Sequence, residues 1–238
     1  MIDANGLDFS ELNDRIRADD SDCVIRKCLG QRFLAAGMSG KHIVIDGIPG
    51  NALGAYLAGA DITVNGNAQD AVGDTMNSGE IVIHGNIGDA AGYAMRGGAI
   101  YACGNAGYRA GIHMKEYKDT KPVIVIGGRA GSFLGEYQAG GIILVLGLHR
   151  DGKPIVGNFP CTGMHGGKMI LRGKAESVVF PKQVNLRIAD SRDMTEIVPY
   201  IQKFCSYFGY DERALIEDSY TVITPDSKNP YKQMYVAN

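Results

Sequence analysis

The side chains of this sequence that could do chemistry are five histidines (His42, His84, His113, His149, His165), five cysteines (Cys23, Cys28, Cys103, Cys161, Cys205) and scattered carboxylates such as Asp70 and Asp89. Cys161 and His165 stand four residues apart, types that suit a nucleophile and its base. An activated cysteine also needs an electropositive, partly exposed pocket, which spacing does not supply, so no catalytic residue is assigned. The histidines show no HxH, HExxH or mixed Cys/His ligand spacing, and no metal site is expected. His84 falls at a strand end and His42 just ahead of a strand, which places both on the surface. Neither a GxSxG elbow nor a P-loop occurs. Asp70 and Asp89 share one repeat position, which reads as a stacked, solvated corner and not as an acid–base pair.

Charged and aromatic side chains concentrate in "GYRAGIHMKEYKDTKP", which holds Arg109, His113, Lys115, Glu116, Tyr117, Lys118 and Lys121. A loop carried on a rigid scaffold is where binding residues gather. The stretch reads either as a solvated bulge or as a docking surface for a partner or an anionic group. Arg109, His113, Lys115, Glu116 and Tyr117 are the interface candidates. A second irregular stretch, "LHRDGKPIVGNFPCTGMHGG", carries His149, Arg150 and Asp151 beside Cys161 and His165.

The elements that must position these residues come from a repeat. "GIPGNALGAYLAGADITVN" begins at Gly47, "GNAQDAVGDTMNSGEIVIH" at Gly66, "GNIGDAAGYAMRGGAIYAC" at Gly85, "GNAGYRAGIHM" at Gly104 and "GRAGSFLGEYQAGGIILVL" at Gly128. The first three steps are 19 residues and the fourth is 24, a repeat lengthened by five within "KEYKDTK". Weaker copies begin at Gly30 and Gly157. A fixed period near 20 residues marks a solenoid. Each unit closes on an alternating strand, which predicts two inward columns. One is Ile62, Ile81, Ile100, Ile124 and Ile143; the other is Val64, Ile83, Ala102, Ile126 and Val145. Leu57, Met76, Met95 and Met114 form a third, and Leu53, Val72, Ala91, Ala110 and Leu134 a fourth. The fold class is therefore all-β: a single-stranded right-handed parallel β-helix of about seven coils with short flanking helices. Gly47, Gly66, Gly85, Gly104 and Gly128 are read as corners needing positive φ and close backbone approach. Asn67, Asn86 and Asn105 are read as an amide ladder. A dinucleotide loop is excluded, because no amphipathic helix follows the glycines.

Outer-face residues are polar early (Asp61, Thr63, Glu80) and apolar late (Ile142, Leu144, Leu146), so the late part of the sheet must be covered. The chain's own terminal segments are the favoured cover, ahead of a partner protein. Residues 1–29 are read as an N-terminal capping segment with a helix "SELNDRIRA" capped by Ser10, and residues 30–180 as the β-helix. Residues 181–238 hold a second helix, 191–209, ending at Gly209, and then an extended arm. Both helices are expected to cap the rod. The 33 glycines stand at roughly double the ordinary ~7%. A net charge of −2 suggests neither nucleic acid nor an anionic membrane as partner. Unpaired cysteines, no signal-like start and no apolar run of ~18–20 residues fit a soluble cytoplasmic protein.

"GNAQDAVGDTMNSGEIVIHG", "GYAMRGG", "GYRAGIHMKEY" and "FLGEYQAGGIILVLG" resemble the glycine-repeat domain at the C-terminus of the glutamate synthase large subunit, over Gly30 to Gly173. The flanks resemble stand-alone versions of that domain. The C subunit of formylmethanofuran dehydrogenase shares the glycine repeat, but "GIHMKEY" favours the glutamate synthase branch. The resemblance implies a non-catalytic scaffold subunit of a split glutamate synthase, which makes glutamate from glutamine and 2-oxoglutarate. Its partners would be amidotransferase and FMN-domain subunits, with FMN and the iron–sulfur cluster on those partners and no cofactor on this chain. Homo-oligomer formation stays open. Ile2 stands where an amidotransferase would carry its cysteine, and no barrel pattern is visible. Gln69 departs from the glycine of neighbouring coils (Gly50, Gly88, Gly107), which implies a slightly different corner there. An independent β-helix enzyme would need carboxylate or basic clusters on one face, and this sequence shows none.

Overall fold

Isoleucine and valine at every second position give each repeat a strand whose inner residues stack on those of the next coil. The computed structural model describes residues 1–19 and 22–228 and carries one 11-stranded sheet. β1 (Ile2–Asp3), α1 (Phe9–Ala18) and β2 (Cys23–Leu29) come first. The coils then supply β3 (His42–Ile48), β4 (Ala58–Asn65), β5 (Ser78–Ile83), β6 (Ala99–Ala102), β7 (Val123–Ile126), β8 (Ala139–Val145) and β9 (Gly166–Arg172). β1 to β9 pair in parallel, in sequence order. β10 (Val184–Ile188), α2 (Ser191–Phe208), α3 (Glu212–Ile216) and β11 (Tyr220–Pro225) complete the chain. β11 inserts between β9 and β10 and runs antiparallel to both.

The architecture is the expected parallel solenoid. Ile62, Ile81, Ile100, Ile124 and Ile143 pair in one register line, and Val64, Ile83, Ala102, Ile126 and Val145 in another, all fully buried. The other two columns are buried with them in one inner core. Away from the sheet, single parallel bridges link Ala68, Ile87, Ala106, Ala130 and Val156. Since Val156 follows Ala130, Gly157 falls in register with Gly131 and not with Gly128. His42 belongs to β3 and does not precede it.

Between these two ladders each coil turns through alternating left-handed residues. Phe33, Ala52, Ala71, Ala90, Arg109, Phe133 and Phe159 share one such position, so seven coils repeat it. Tyr56, Thr75, Ala94, His113 and Tyr137 share another, two residues beyond a glycine column that includes Gly73 and Gly92. An L-residue held there costs about 1–2 kcal/mol. Hydrogen bonds to both neighbouring coils offset that strain. Ala71 donates its N–H to the Asp89 carbonyl (2.8 Å) and Thr75 to that of Tyr93 (2.7 Å), both one coil on. Gly73 donates backward, to Leu53 (2.8 Å).

The glycines that open the coils work differently from expectation. Gly47 has positive φ, but Gly66, Gly85, Gly104 and Gly128 do not. Their requirement is closeness. A Cβ on Gly85, Gly104 or Gly128 would stand under 3.0 Å from the Oδ1 of Asn67, Asn86 or Asn105 in the coil before. Those oxygens form the ladder: Asn67 accepts from Asn86 N (2.8 Å), Asn86 from Asn105 N (2.7 Å) and Asn105 from Arg129 N (2.8 Å). Only between Asn67 and Asn86 does a side-chain amide also reach the oxygen below, at 3.4 Å. A second ladder runs through Asn51, Asp70 and Asp89. Its rung beside Gln69 is the longest, 3.2 Å from Asp70 N to Asn51, against 2.9 and 2.7 Å in the next two. Gln69 carries a Cβ where Gly50, Gly88 and Gly107 have none, and a Cβ on any of those three would stand under 3.0 Å from an atom of the coil before.

The helices divide their tasks. α1 is capped by Asp8, not Ser10: the Asp8 Oδ1 accepts from Ser10 N and Glu11 N, both at 2.8 Å. Ser10 already lies inside the first turn. Leu12 and Ile16 of α1 enter the inner core beside Leu34, as a cap requires. α2 runs from Asp190, with a capping box, to Gly209 in the left-handed conformation. It is not an end cap. Ile197, Ile201 and Phe204 pack on Tyr101, Val125, Leu144 and Ile170, forming a second core on the outer sheet face. The terminal segment is thus the cover that Ile142, Leu144 and Leu146 demanded. The C-terminal end is closed instead by β10 and β11, with Val184 and Ile223 joining the inner core. The expected arm is a strand up to Pro225, and its remainder past residue 228 lies outside the described residues.

In chemical denaturation Gly104→Ala, at ordinary φ, should lose about 1–3 kcal/mol by overpacking. Phe204→Ala should lose about 3–5 kcal/mol. Wild-type stability in Gly104→Ala would show that coil contact does not set the spacing.

Candidate interaction surface

Two outward-facing corner positions build a patch of aromatic and charged side chains. In the fifth coil they hold Arg109 and His113, and in the sixth Phe133 and Tyr137. The Arg109 guanidinium lies 4.7 Å from the centre of the Phe133 ring and pairs with Glu136 at 3.0 Å. Phe133 in turn meets Phe159 at 5.3 Å. His113 stacks on Tyr137 at 5.3 Å with 8° between planes, and Tyr93 meets it edge-on at 6.0 Å. Tyr93, Tyr108 and Phe159 keep 41%, 54% and 61% of their surface exposed. Rigid aromatics around an arginine supply contact area with little side-chain entropy left to lose.

The insertion is folded back. Tyr117 and Thr120 exchange backbone hydrogen bonds (3.2 and 3.1 Å) around Lys118, which is left-handed. The Thr120 hydroxyl donates to the Arg96 carbonyl (2.8 Å), and Lys121 pairs with Glu196 of α2 (2.7 Å). Glu116 accepts from Gly141 N at 3.0 Å. Lys115 and Glu116 also border a 720 Å³ cavity with His165 and Asp226. The five interface candidates therefore separate. Arg109 and His113 join the aromatic patch, Lys115 and Glu116 flank the cavity, and Tyr117 stands exposed at the tip. Tyr93, Tyr108, Phe133, Tyr137 and Phe159 were not singled out by sequence reasoning. The repeat position that Phe133 and Phe159 share with Arg109, and that Tyr137 shares with His113, was the available signal; Tyr93 and Tyr108 stand at other positions of their coils.

Cys161 is fully buried, its Sγ 3.5 Å from the Met169 sulfur, and burial pushes its thiol far above the usual range. His165 spends Nδ1 on the Gly163 carbonyl at 2.9 Å. A thiol so enclosed cannot be a nucleophile. Burial likewise pushes the Cys28 thiol up to about 11. His149 meets the Tyr210 hydroxyl at 3.1 Å, and His84 lies against Phe208. Among the described residues no three His, Cys, Asp or Glu side chains are grouped as metal ligands, and no helix is long and apolar enough to cross a membrane.

Ion pairs fasten α2 to the sheet. Asp193, 2% exposed, receives the Arg187 guanidinium and Lys168 (3.3 Å), and Lys168 also reaches Glu196 (2.6 Å). Glu80 of β5 takes Lys203 (2.7 Å) on one oxygen and the Tyr207 hydroxyl on the other.

Fold and surface together define a parallel β-solenoid whose distinctive exterior is an aromatic corner, with no nucleophile–base pair among the residues singled out for chemistry. The chain belongs to the GXGXG motif family, which matches residues 21–228. This bears out the likeness to the glycine-repeat domain of glutamate synthase, and it points to a role related to that enzyme. The chain is also 42% identical, over 249 aligned positions, to an uncharacterized protein of Methanocaldococcus jannaschii, covering 99% of this chain and 95% of that one.

The Arg187 guanidinium, with Asp190 N and Lys168, holds the Asp193 carboxyl well below the usual carboxylate range. A depressed folded pKa stabilises above the unfolded value of about 3.9, and the gain is lost as pH falls toward the folded value. The stability gap between wild type and Asp193→Asn should accordingly be full above about pH 5 and shrink below about pH 4. Urea melts across that range test this, and a gap constant down to pH 2 would refute it.

Proposed function

We propose that this chain is a non-catalytic structural subunit of a cytoplasmic glutamate synthase divided among several polypeptides. Membership of the GXGXG family supports the enzyme, and the aromatic corner around Arg109 and His113 supports the structural role. That corner is the carrying observation. It presents a guanidinium and stacked rings outward from a scaffold whose backbone is fixed by hydrogen bonds to the coils on either side. Exposed aromatic and arginine side chains in one rigid patch are the usual anchors of a protein interface. In this reading the corner seats the amidotransferase and FMN-domain subunits, and the exposed Tyr117 tip extends the contact. FMN and the iron–sulfur cluster would reside on those partners. This chain's contribution to the reaction is then geometric, holding in register the sites where glutamine is hydrolysed and where 2-oxoglutarate is aminated.

Affinity purification of the tagged chain from its native source should recover a flavin-containing subunit and an amidotransferase. The double variant Arg109→Glu, Tyr137→Ala should lower that recovery at least about tenfold, a loss of roughly 1.4 kcal/mol, while its circular dichroism stays native. A chain recovered alone, or a complex that ignores the double variant, would sink the proposal.

A further inference from the structure

The outer face of β6 contains a buried polar group without a partner. Tyr101 is fully buried, its ring meeting that of Tyr207 at 5.3 Å, and its hydroxyl has no hydrogen-bond partner among the described residues. Native structures seldom leave such a group unsatisfied; among the described residues Tyr101 Oη and Gln138 Oε1 are the two such side-chain atoms, and of these Tyr101 Oη belongs to a residue that lines a cavity between the sheet and α2. That cavity measures 350 Å³, within the range of small-molecule sites.

The rim of the cavity decides what chemistry fits. Two carboxylates, Glu80 and Glu196, and two ammonium groups, Lys121 and Lys203, face it. Each carboxylate oxygen already has a partner. Glu80 takes Lys203 and Tyr207, and Glu196 takes Lys121 and Lys168. Lys121 and Lys203 each make one of these bonds, and an ammonium has three hydrogens to give. Both carboxylates are thus already neutralised by lysines, and the group at the site that lacks any partner is the Tyr101 hydroxyl, which can donate, as can the remaining lysine hydrogens beside it. The complement to such a set is a compact oxyanion. Val123, Ala99 and Pro199 supply apolar wall, which suits an organic body more than a bare phosphate.

We infer that this cavity is a binding site for a small organic carboxylate, held by Lys121, Lys203 and the Tyr101 hydroxyl. The site lies on a different face from the aromatic corner and does not depend on the subunit role proposed above. Binding would bridge the insertion, through Lys121, to α2, through Lys203.

The test titrates the full chain with acetate, succinate and inorganic phosphate at constant ionic strength, read by thermal melting and by calorimetry. A saturable rise in melting temperature with acetate or succinate, absent with sodium chloride, is expected. Tyr101→Phe should abolish that rise without lowering the melting temperature of the unliganded protein, because it removes only the orphan hydroxyl. Lys203→Gln, at an exposed position, should weaken binding and provides a second variant. No carboxylate-dependent rise in the wild type would overturn the inference. So would an undiminished rise in Tyr101→Phe, tighter binding of phosphate than of either carboxylate, or a less stable unliganded Tyr101→Phe, which would mean the hydroxyl already has a partner.

Discussion

Successive coils approach as closely as backbone allows, and the glycines that open them, Gly66, Gly85, Gly104 and Gly128, make that approach feasible. Everything else rests on it. Stacked at strand spacing, the asparagine oxygen of one coil meets the amide of the next, the isoleucines align, and the left-handed corner residues find acceptors above and below. A larger residue would part the coils locally and undo several of these contacts together. Gln69 shows the mild form of this, one lengthened rung beside an extra Cβ. The strain of non-glycine residues at positive φ is tolerable only because the stack over-determines their conformation.

The same sheet serves two cores. Its inner face closes on itself through the coil, and from β5 onward its outer face is apolar enough to require α2. A sheet buried on both sides loses the alternation that would mark its faces in sequence. Salt bridges between α2 and Glu80, Lys121 and Lys168 then fix the helix against sliding on a surface that is otherwise non-directional. The insertion is drawn into this arrangement through Lys121, so this interruption of the repeat is also a tie between the coils and the C-terminal region.

Much of this was legible from sequence because a 19-residue period combined with alternation leaves few choices of register. The inward columns, the asparagine ladder and the need for a cover all follow from it. Other features carry no local signal. Ala90, Arg109, Phe133 and Tyr137 are left-handed because of their place in the coil, and nothing in their chemistry announces it. β11 was missed because "YTVI" is buried throughout and shows no alternation. Arg109 and His113 stood out beside the broken period. Phe133 and Tyr137 lie 24 residues onward and Phe159 a further 26 beyond Phe133, and all meet only when the coils are stacked. Ser10 misled because a serine at a helix start is a common cap, whereas Asp8 lay just outside the segment considered.

The antiparallel strand laid against β9 closes the stack of coils. A parallel stack of near-identical coils has no internal reason to stop, since its last coil offers the same row of donors and acceptors as every earlier one. β11 runs against β9, and beyond it the edge strand β10, which runs the way the coil strands do, is five residues long and leads into α2 and not into another coil, so the terminal edge does not repeat the coil that another copy would have to continue. At the other end β1 offers only two paired residues. A sequence that repeats like a fibre thereby acquires a finished edge at its last coil.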